Sequence, residues 1–83
     1  MVCKAYVLID VERGQADTVV AELMHKPGVI TVEPIFGSHD VVALIEAPEF
    51  ADLAEIVRSV IAEADYVVRT ETLVVSGMKH RRQ

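Results

Sequence analysis

Residues 41–45 read Val-Val-Ala-Leu-Ile, and they narrow the fold more than any other stretch. A strand made of them is apolar on both faces, so it needs cover above and below and belongs at the centre of a sheet. Residues 4–11 repeat the pattern. Tyr6, Leu8 and Asp10 share one face, and Ala5, Val7, Ile9 and Val11 share the other. Residues 29–35 form a third strand, but Pro34 has no N–H to give a ladder, which places this strand at an edge or Pro34 at a bulge. Residues 67–76 form the last strand. Val67, Arg69, Glu71, Leu73 and Val75 lie on one side of it, and Val68, Thr70, Thr72, Val74 and Ser76 on the other.

Two helices separate these strands. In residues 14–26, Ala16, Val19, Val20, Leu23 and Met24 recur at helical spacing, and Pro27-Gly28 ends the run. The second helix opens at residues 47–49, with Pro48 near its first turn. Its stripe is Phe50, Leu53, Ala54, Val57, Val60, Ile61 and Ala64. The four residues 37–40 between the second and third strands predict an antiparallel hairpin. The order is βαββαβ. Each helix has one apolar stripe, and the economical partner for both is one face of a shared sheet. Right-handed crossovers then predict an α+β, ferredoxin-like sandwich: a four-stranded antiparallel sheet with two helices on one face. Each half runs strand, helix, turn, strand, a pseudo-repeat that comes with this architecture.

That arrangement leaves the second sheet face bare, although the first and third strands carry apolar residues there. A chain of 83 residues buries only about 60–65% of its unfolded surface. Its 52% hydrophobic content exceeds what so small a core takes up. No apolar run reaches membrane-spanning length. Association through the bare face, sheet against sheet in the manner of a dimeric α/β barrel, is the expected outlet.

Composition excludes several functions. The net charge of −5 argues against general nucleic-acid binding. Residues 1–76 are expected to form the single domain, with 77–83 (Lys79, His80, Arg81, Arg82) a basic solvated tail. One cysteine, Cys3, permits no internal disulfide and no Cys-x-x-Cys pair. The N-terminus shows no export signal, so cytoplasmic residence is the default expectation.

Phe36-Gly37-Ser38-His39-Asp40 is the one place where a glycine, a hydroxyl, an imidazole and a carboxylate fall side by side. A general base with its orienting carboxylate is one reading of His39-Asp40. Neighbours in an extended segment point to opposite faces, however, and no nucleophile is identifiable, so a polar turn with Asp40 bonding backbone N–H groups is the better reading. His25, His39 and His80 lie on a helix, a turn and a tail without metal-ligand spacing, so no metal is expected. The glycines are isolated and form no phosphate cradle, and no cofactor is expected. Thr70 and Thr72 share a strand face, which threonine suits on structural grounds alone.

Taken in order, Pro27-Gly28-Val29, the Phe36-Gly37-Ser38-His39-Asp40 turn, the apolar run 41–45 and Thr70-x-Thr72-Leu73 resemble a known family. It is the RAM domain, the amino-acid-sensing half of the Lrp/AsnC transcriptional regulators, and in particular its stand-alone members. The resemblance spans about residues 4–76. One departure stands out: the family usually has an aromatic just before the turn's aspartate, and this chain has His39. The resemblance implies a sensing domain rather than an enzyme. It implies homodimers joined through their sheets and assembled into octamer or decamer rings, with an amino acid or similar small metabolite bound at dimer–dimer boundaries. By position, Gly37, Ser38, His39 and Asp40 would line that site, followed by Thr70 and Thr72. A zwitterion fits, since Asp40 would accept its ammonium and turn N–H groups and Ser38 would donate to its carboxylate. The first strand starts near Lys4 and leaves no room for a helix-turn-helix, so direct DNA binding is not expected, and action through mixed oligomers with full-length Lrp/AsnC regulators is the route left open. The alternative from another class is a small ferredoxin-like enzyme, of monooxygenase or isomerase type, using His39 and Asp40.

Overall fold

The structure, a computed structural model, describes residues 2–76. The basic tail at 77–83 lies outside the described residues. The chain runs β1 (Cys3–Val11), α1 (Ala16–Leu23), β2 (Val29–Pro34), β3 (Val41–Ala47), α2 (Phe50–Glu55) with a π-helical continuation (Ile56–Ile61), and β4 (Val67–Val74). The four strands form one antiparallel sheet in the order β2-β3-β1-β4. The α+β, ferredoxin-like expectation therefore holds. The two doubly apolar strands β1 and β3 are central, and Pro34 sits on edge strand β2.

Alternation along the strands separates the two faces. Ala5, Val7 and Ile9 of β1 and Val41, Ala43, Ile45 and Ala47 of β3 are buried on the helix side, where they meet Val19, Leu23, Leu53, Ile61 and Ala64. No polar or charged residue is buried among those described, so this core is held by apolar burial alone. The opposite face carries Tyr6, Leu8, Val42, Leu44 and Leu73, none of them fully buried. This is the uncovered apolar face expected from the sequence. Two positions expected in the helix stripe, Phe50 and Ala54, are exposed instead, because α2 overhangs the edge strand β4 there.

The second helix widens halfway along. Ala62 N–H reaches back five residues to the carbonyl of Val57 at 2.8 Å, and the Ser59 hydroxyl donates to the carbonyl of Glu55 at 2.7 Å. A serine that bonds back to the preceding turn competes with the ordinary helical ladder. Outside, Arg58 pairs with Glu55.

The pseudo-repeat is visible in the backbone. After α1, Lys26 N–H bonds Leu23 O and Val29 N–H bonds Lys26 O, each at 3.1 Å. After the π-helical segment, Ala64 N–H bonds Ile61 O at 3.1 Å and Val67 N–H bonds Ala64 O at 3.3 Å. Each exit needs a left-handed residue just before its strand. Gly28 takes φ +87° in the first half, and Tyr66 takes φ +72° in the second. Glycine adopts this region freely, whereas a side chain such as tyrosine costs about 1–2 kcal/mol. Glu12 N–H bonds the Tyr66 carbonyl at 2.9 Å and ties the strained residue to the end of β1.

Gly28 is also constrained by space. A Cβ there would lie 2.5 Å from Ile56 Cδ1 and 3.3 Å from the Glu46 carbonyl oxygen. Gly28→Ala is therefore expected to destabilise the fold by at least about 1 kcal/mol, the strained φ adding to the close approach. Urea denaturation measures this. Equal midpoints for variant and wild type would contradict it.

Candidate functional site

The turn between β2 and β3 is anchored to β1. Asp40 N–H donates to the Ile9 carbonyl at 3.0 Å, and Ile35 N–H donates to the Asp40 carbonyl at 2.9 Å. The Asp40 carboxylate accepts the N–H of Val11 at 2.9 Å through Oδ2. The β1–β3 ladder ends at Ile9 and Val41, and the Asp40 carboxylate takes the next β1 donor on that side. Oδ1 of Asp40 has no hydrogen-bond partner among the described residues. Gly37, at φ +131°, gives the turn its direction, and a Cβ there would meet only open space.

Three clefts surround the anchored turn and the helices. One, of about 430 Å³, is lined by Val11, Glu12, Arg13, Gly14, Asp17 and Asp40 and is largely polar. A second, of about 350 Å³, is mostly apolar and lined by Ala16, Pro34, Ile35, Phe36 and Asp40. Ala16 and Asp40 border both, so the Asp40 carboxylate stands where a polar and an apolar cleft meet. The third, of about 340 Å³, lies away from the turn between α2 and β4.

His39 and Asp40 do not bond each other, as expected for adjacent extended residues. His39 turns to the uncovered sheet face, where its Nδ1 lies 3.0 Å from Asp10 Oδ1 and its Nε2 lies 3.5 Å from Glu71 Oε1. Arg69 donates to Asp10 Oδ2 from Nε at 3.1 Å and from Nη2 at 3.0 Å. Both N–H groups converge on one carboxylate oxygen, leaving the other to His39. Hydrogen bonding by His39, above all, holds the Asp10 carboxyl below the usual aspartate range. Partial burial opposes this, and Arg69 reinforces it. The histidine of the enzyme reading thus has a carboxylate partner, but it is Asp10, on the sheet face. Asp10, His39 and Glu71 line none of the three clefts.

The six sequence candidates fall into two places. Gly37, Ser38, His39 and Asp40 stand together at the turn. Thr70 and Thr72 pair with Ile9 and Val7 and so face the helix side, on the edge strand, with Thr72 in the α2–β4 cleft. Within one chain the two groups do not share a cleft. Asp10, Arg69 and Arg13 were not among the candidates, and Glu71, a weaker candidate beside Thr70 and Thr72, points to the other face, toward His39. An acid at the end of an otherwise apolar strand, with an arginine on the matching face of β4, was the available signal for the first two. Among the described residues no group of three or more His, Cys, Asp or Glu side chains is placed to hold a metal ion. No helix among them is long and apolar enough to cross a membrane.

The sign of the Asp10 shift gives a prediction. A carboxylate whose folded pKa is depressed contributes stability above its unfolded value, and that contribution is lost as the pH falls through the folded value. The stability difference between wild type and Asp10→Asn is therefore expected to be largest near neutrality and to shrink below about pH 4. Urea denaturation at a series of pH values reads this, and a gap constant with pH would remove the ionic contribution.

Comparison with known proteins gives one consistent result. The family model described as the Lrp/AsnC ligand binding domain matches residues 4–83. No curated protein matches at a significant level. Among solved structures, TTHA0845 from Thermus thermophilus is 28% identical with a TM-score of 0.86, covering 95% of this chain and 99% of its own. E. coli AsnC is similar in fold, with a TM-score of 0.85 at 17% identity, over 98% of this chain and 55% of AsnC. The transcriptional regulator NMB0573 from Neisseria meningitidis, solved as a complex with L-Met, has a TM-score of 0.79 at 15% identity over 94% of this chain and 53% of its own. With the fold, the uncovered sheet face and the anchored turn all in agreement, the chain belongs to the Lrp/AsnC ligand binding domain family.

Proposed function

We propose that this chain is an effector-binding and assembly domain that takes an amino acid or similar zwitterion at the 37–40 turn. The observation that carries the reading is Asp40 at the junction of a polar and an apolar cleft, with one carboxylate oxygen unpartnered among the described residues. A zwitterion has the same division. Its ammonium goes to Asp40, its carboxylate to Arg13 or to turn N–H groups and Ser38, and its side chain to the apolar cleft of Pro34, Ile35 and Phe36. The L-Met bound to NMB0573 is in keeping with a ligand of this class. Thr70 and Thr72 join such a site only from another copy, since in one chain they face a different cleft.

The uncovered sheet face supports pairing of two copies. Tyr6, Leu8, Val42, Leu44 and Leu73 supply apolar surface, and the Asp10–Arg69 and Lys4–Glu46 pairs ring it with charge. Ligand bound where copies meet stabilises the assembly by mass action. The chain spans about half the length of AsnC. In this reading, joining full-length Lrp/AsnC regulators in mixed oligomers is its route to transcription.

Asp40→Asn separates the charge from the structural role, because the amide oxygen still accepts the Val11 N–H. Amino acids screened by thermal shift are expected to include at least one that stabilises the wild type. Loss of the charge-assisted bond should weaken that ligand about tenfold or more by calorimetry, with little change in the ligand-free melting temperature. Absence of any stabilising amino acid, or unchanged affinity in Asp40→Asn, defeats the reading.

A further inference from the structure

On the uncovered sheet face, His39 stands between two carboxylates. Its Nδ1 lies 3.0 Å from Asp10 Oδ1 on β1, and its Nε2 lies 3.5 Å from Glu71 Oε1 on β4. Its side chain is only 20% exposed, so the ring is held between them. A carboxylate accepts and does not donate, so Nδ1–H gives its proton's bond to Asp10. A neutral imidazole has no second N–H, and it turns a lone pair toward Glu71. Protonation replaces that lone pair with a donor and gives each carboxylate a charge-assisted bond.

The same proton decides the charge of the group. Arg69 and Asp10 cancel each other through the two bonds to Oδ2. Glu71 adds one negative charge, which a neutral His39 leaves in place and a protonated His39 cancels. Of these four side-chain types, histidine is the one whose charge changes between about pH 5 and 8. The bond to His39, with Arg69 beside it, holds the Asp10 carboxyl below the usual aspartate range, so Asp10 stays charged across that interval. The other charges of the face are the Lys4–Glu46 pair at its far end and Glu33 on edge strand β2, in the row of Val42 and Leu8. Asp40, next to His39 in sequence, is turned to Val11. Among the described residues the imidazole pairs with Asp10 and Glu71 alone. A second copy packed over the face takes this group out of water. Burying an uncancelled charge is costly, and a group of zero net charge with matched donors and acceptors loses far less.

We infer that protonation of His39 tightens the pairing of two copies through the uncovered sheet face, so that assembly strengthens as the pH falls through the histidine range. This rests on the reading of the chain as a domain that pairs through that face, and it adds a control on the pairing. The sign follows from linkage: the paired form gains from the proton, so its advantage is present at low pH and is lost as the pH rises. Each copy brings one His39, so a pair takes up as many as two protons. The proton enters on the sheet face, away from the clefts around Asp40, and acts on pairing without occupying the effector position.

The test uses the full chain. Subunit exchange between unlabelled and 15N-labelled copies, followed by native mass spectrometry, reads how fast a pair comes apart. Wild-type exchange is expected to be at least about fivefold slower at about pH 6 than at about pH 8. His39→Gln keeps a donor for Asp10 but never carries charge, and its two rates are expected to agree within about twofold. Glu71→Gln, at an exposed strand position, removes the charge that the proton cancels. Its pairs are expected to exchange slowly already at the higher pH, with no further slowing at the lower one. That result separates charge from a merely structural role of His39, and circular dichroism checks that both variants keep the fold. Equal wild-type rates at the two pH values overturn the inference. So does a slowing at low pH that persists in His39→Gln, which assigns the proton to another group such as His25 or His80. A wild type that is monomeric at both pH values overturns the assembly reading and the inference with it, so mass alone tells the two failures apart.

Discussion

The site depends on the ties between the β2–β3 turn and the end of β1. Asp40 gives its N–H to Ile9 and receives the N–H of Val11 on its carboxylate. Two hydrogen bonds at one residue make the turn part of the central strand rather than a loose hairpin end. They satisfy a backbone donor left open where the β1–β3 ladder ends at Ile9 and Val41. They also fix the orientation of everything the turn carries: His39 toward the sheet face, Asp40 toward the clefts, Phe36 into solvent.

The helices impose the second constraint. Two amphipathic helices cover one face of a four-stranded sheet and no more, so the other face stays open however apolar it is. On that face a charged group has assembled around Asp10. His39 and Arg69 approach its two oxygens separately, and Glu71 lies beyond His39. This group links two strands and the turn at one end of an apolar surface, and it orients any partner that packs there by charge as well as by shape. The imidazole of His39 bonds Asp10 and so ties the 37–40 turn to the uncovered sheet face.

Much of the fold was legible in the residues. Apolar residues on both faces of 4–11 and 41–45 announced central strands, Pro34 announced an edge, and Pro27-Gly28 announced a helix exit. The second exit was less legible because Tyr66 does there what glycine does at Gly28, and nothing about a tyrosine signals a positive φ. The π-helical widening was also hidden, since its apolar spacing reads as an ordinary helix. Of the site, the Gly37–Asp40 turn could be found from its composition. For the Asp10–Arg69 pair the residues offered only an acid and an arginine near strand ends, because the contact joins residues fifty-nine positions apart through the strand register.

The sequence alone determined which residues are apolar and at what period, hence the βαββαβ order, the single-faced helices and the surplus sheet face. Local chemistry sets those features: propensity, alternation and turn residues act within a few positions of one another. Tertiary structure decided which side of the turn each residue serves. It sent His39 to Asp10 and Asp40 to Val11, placed Thr70 and Thr72 over a different cleft, and left Phe36 without a partner in its own chain. Those outcomes depend on strand register and on the reach of each side chain across the sheet, and neither is encoded by neighbours in sequence.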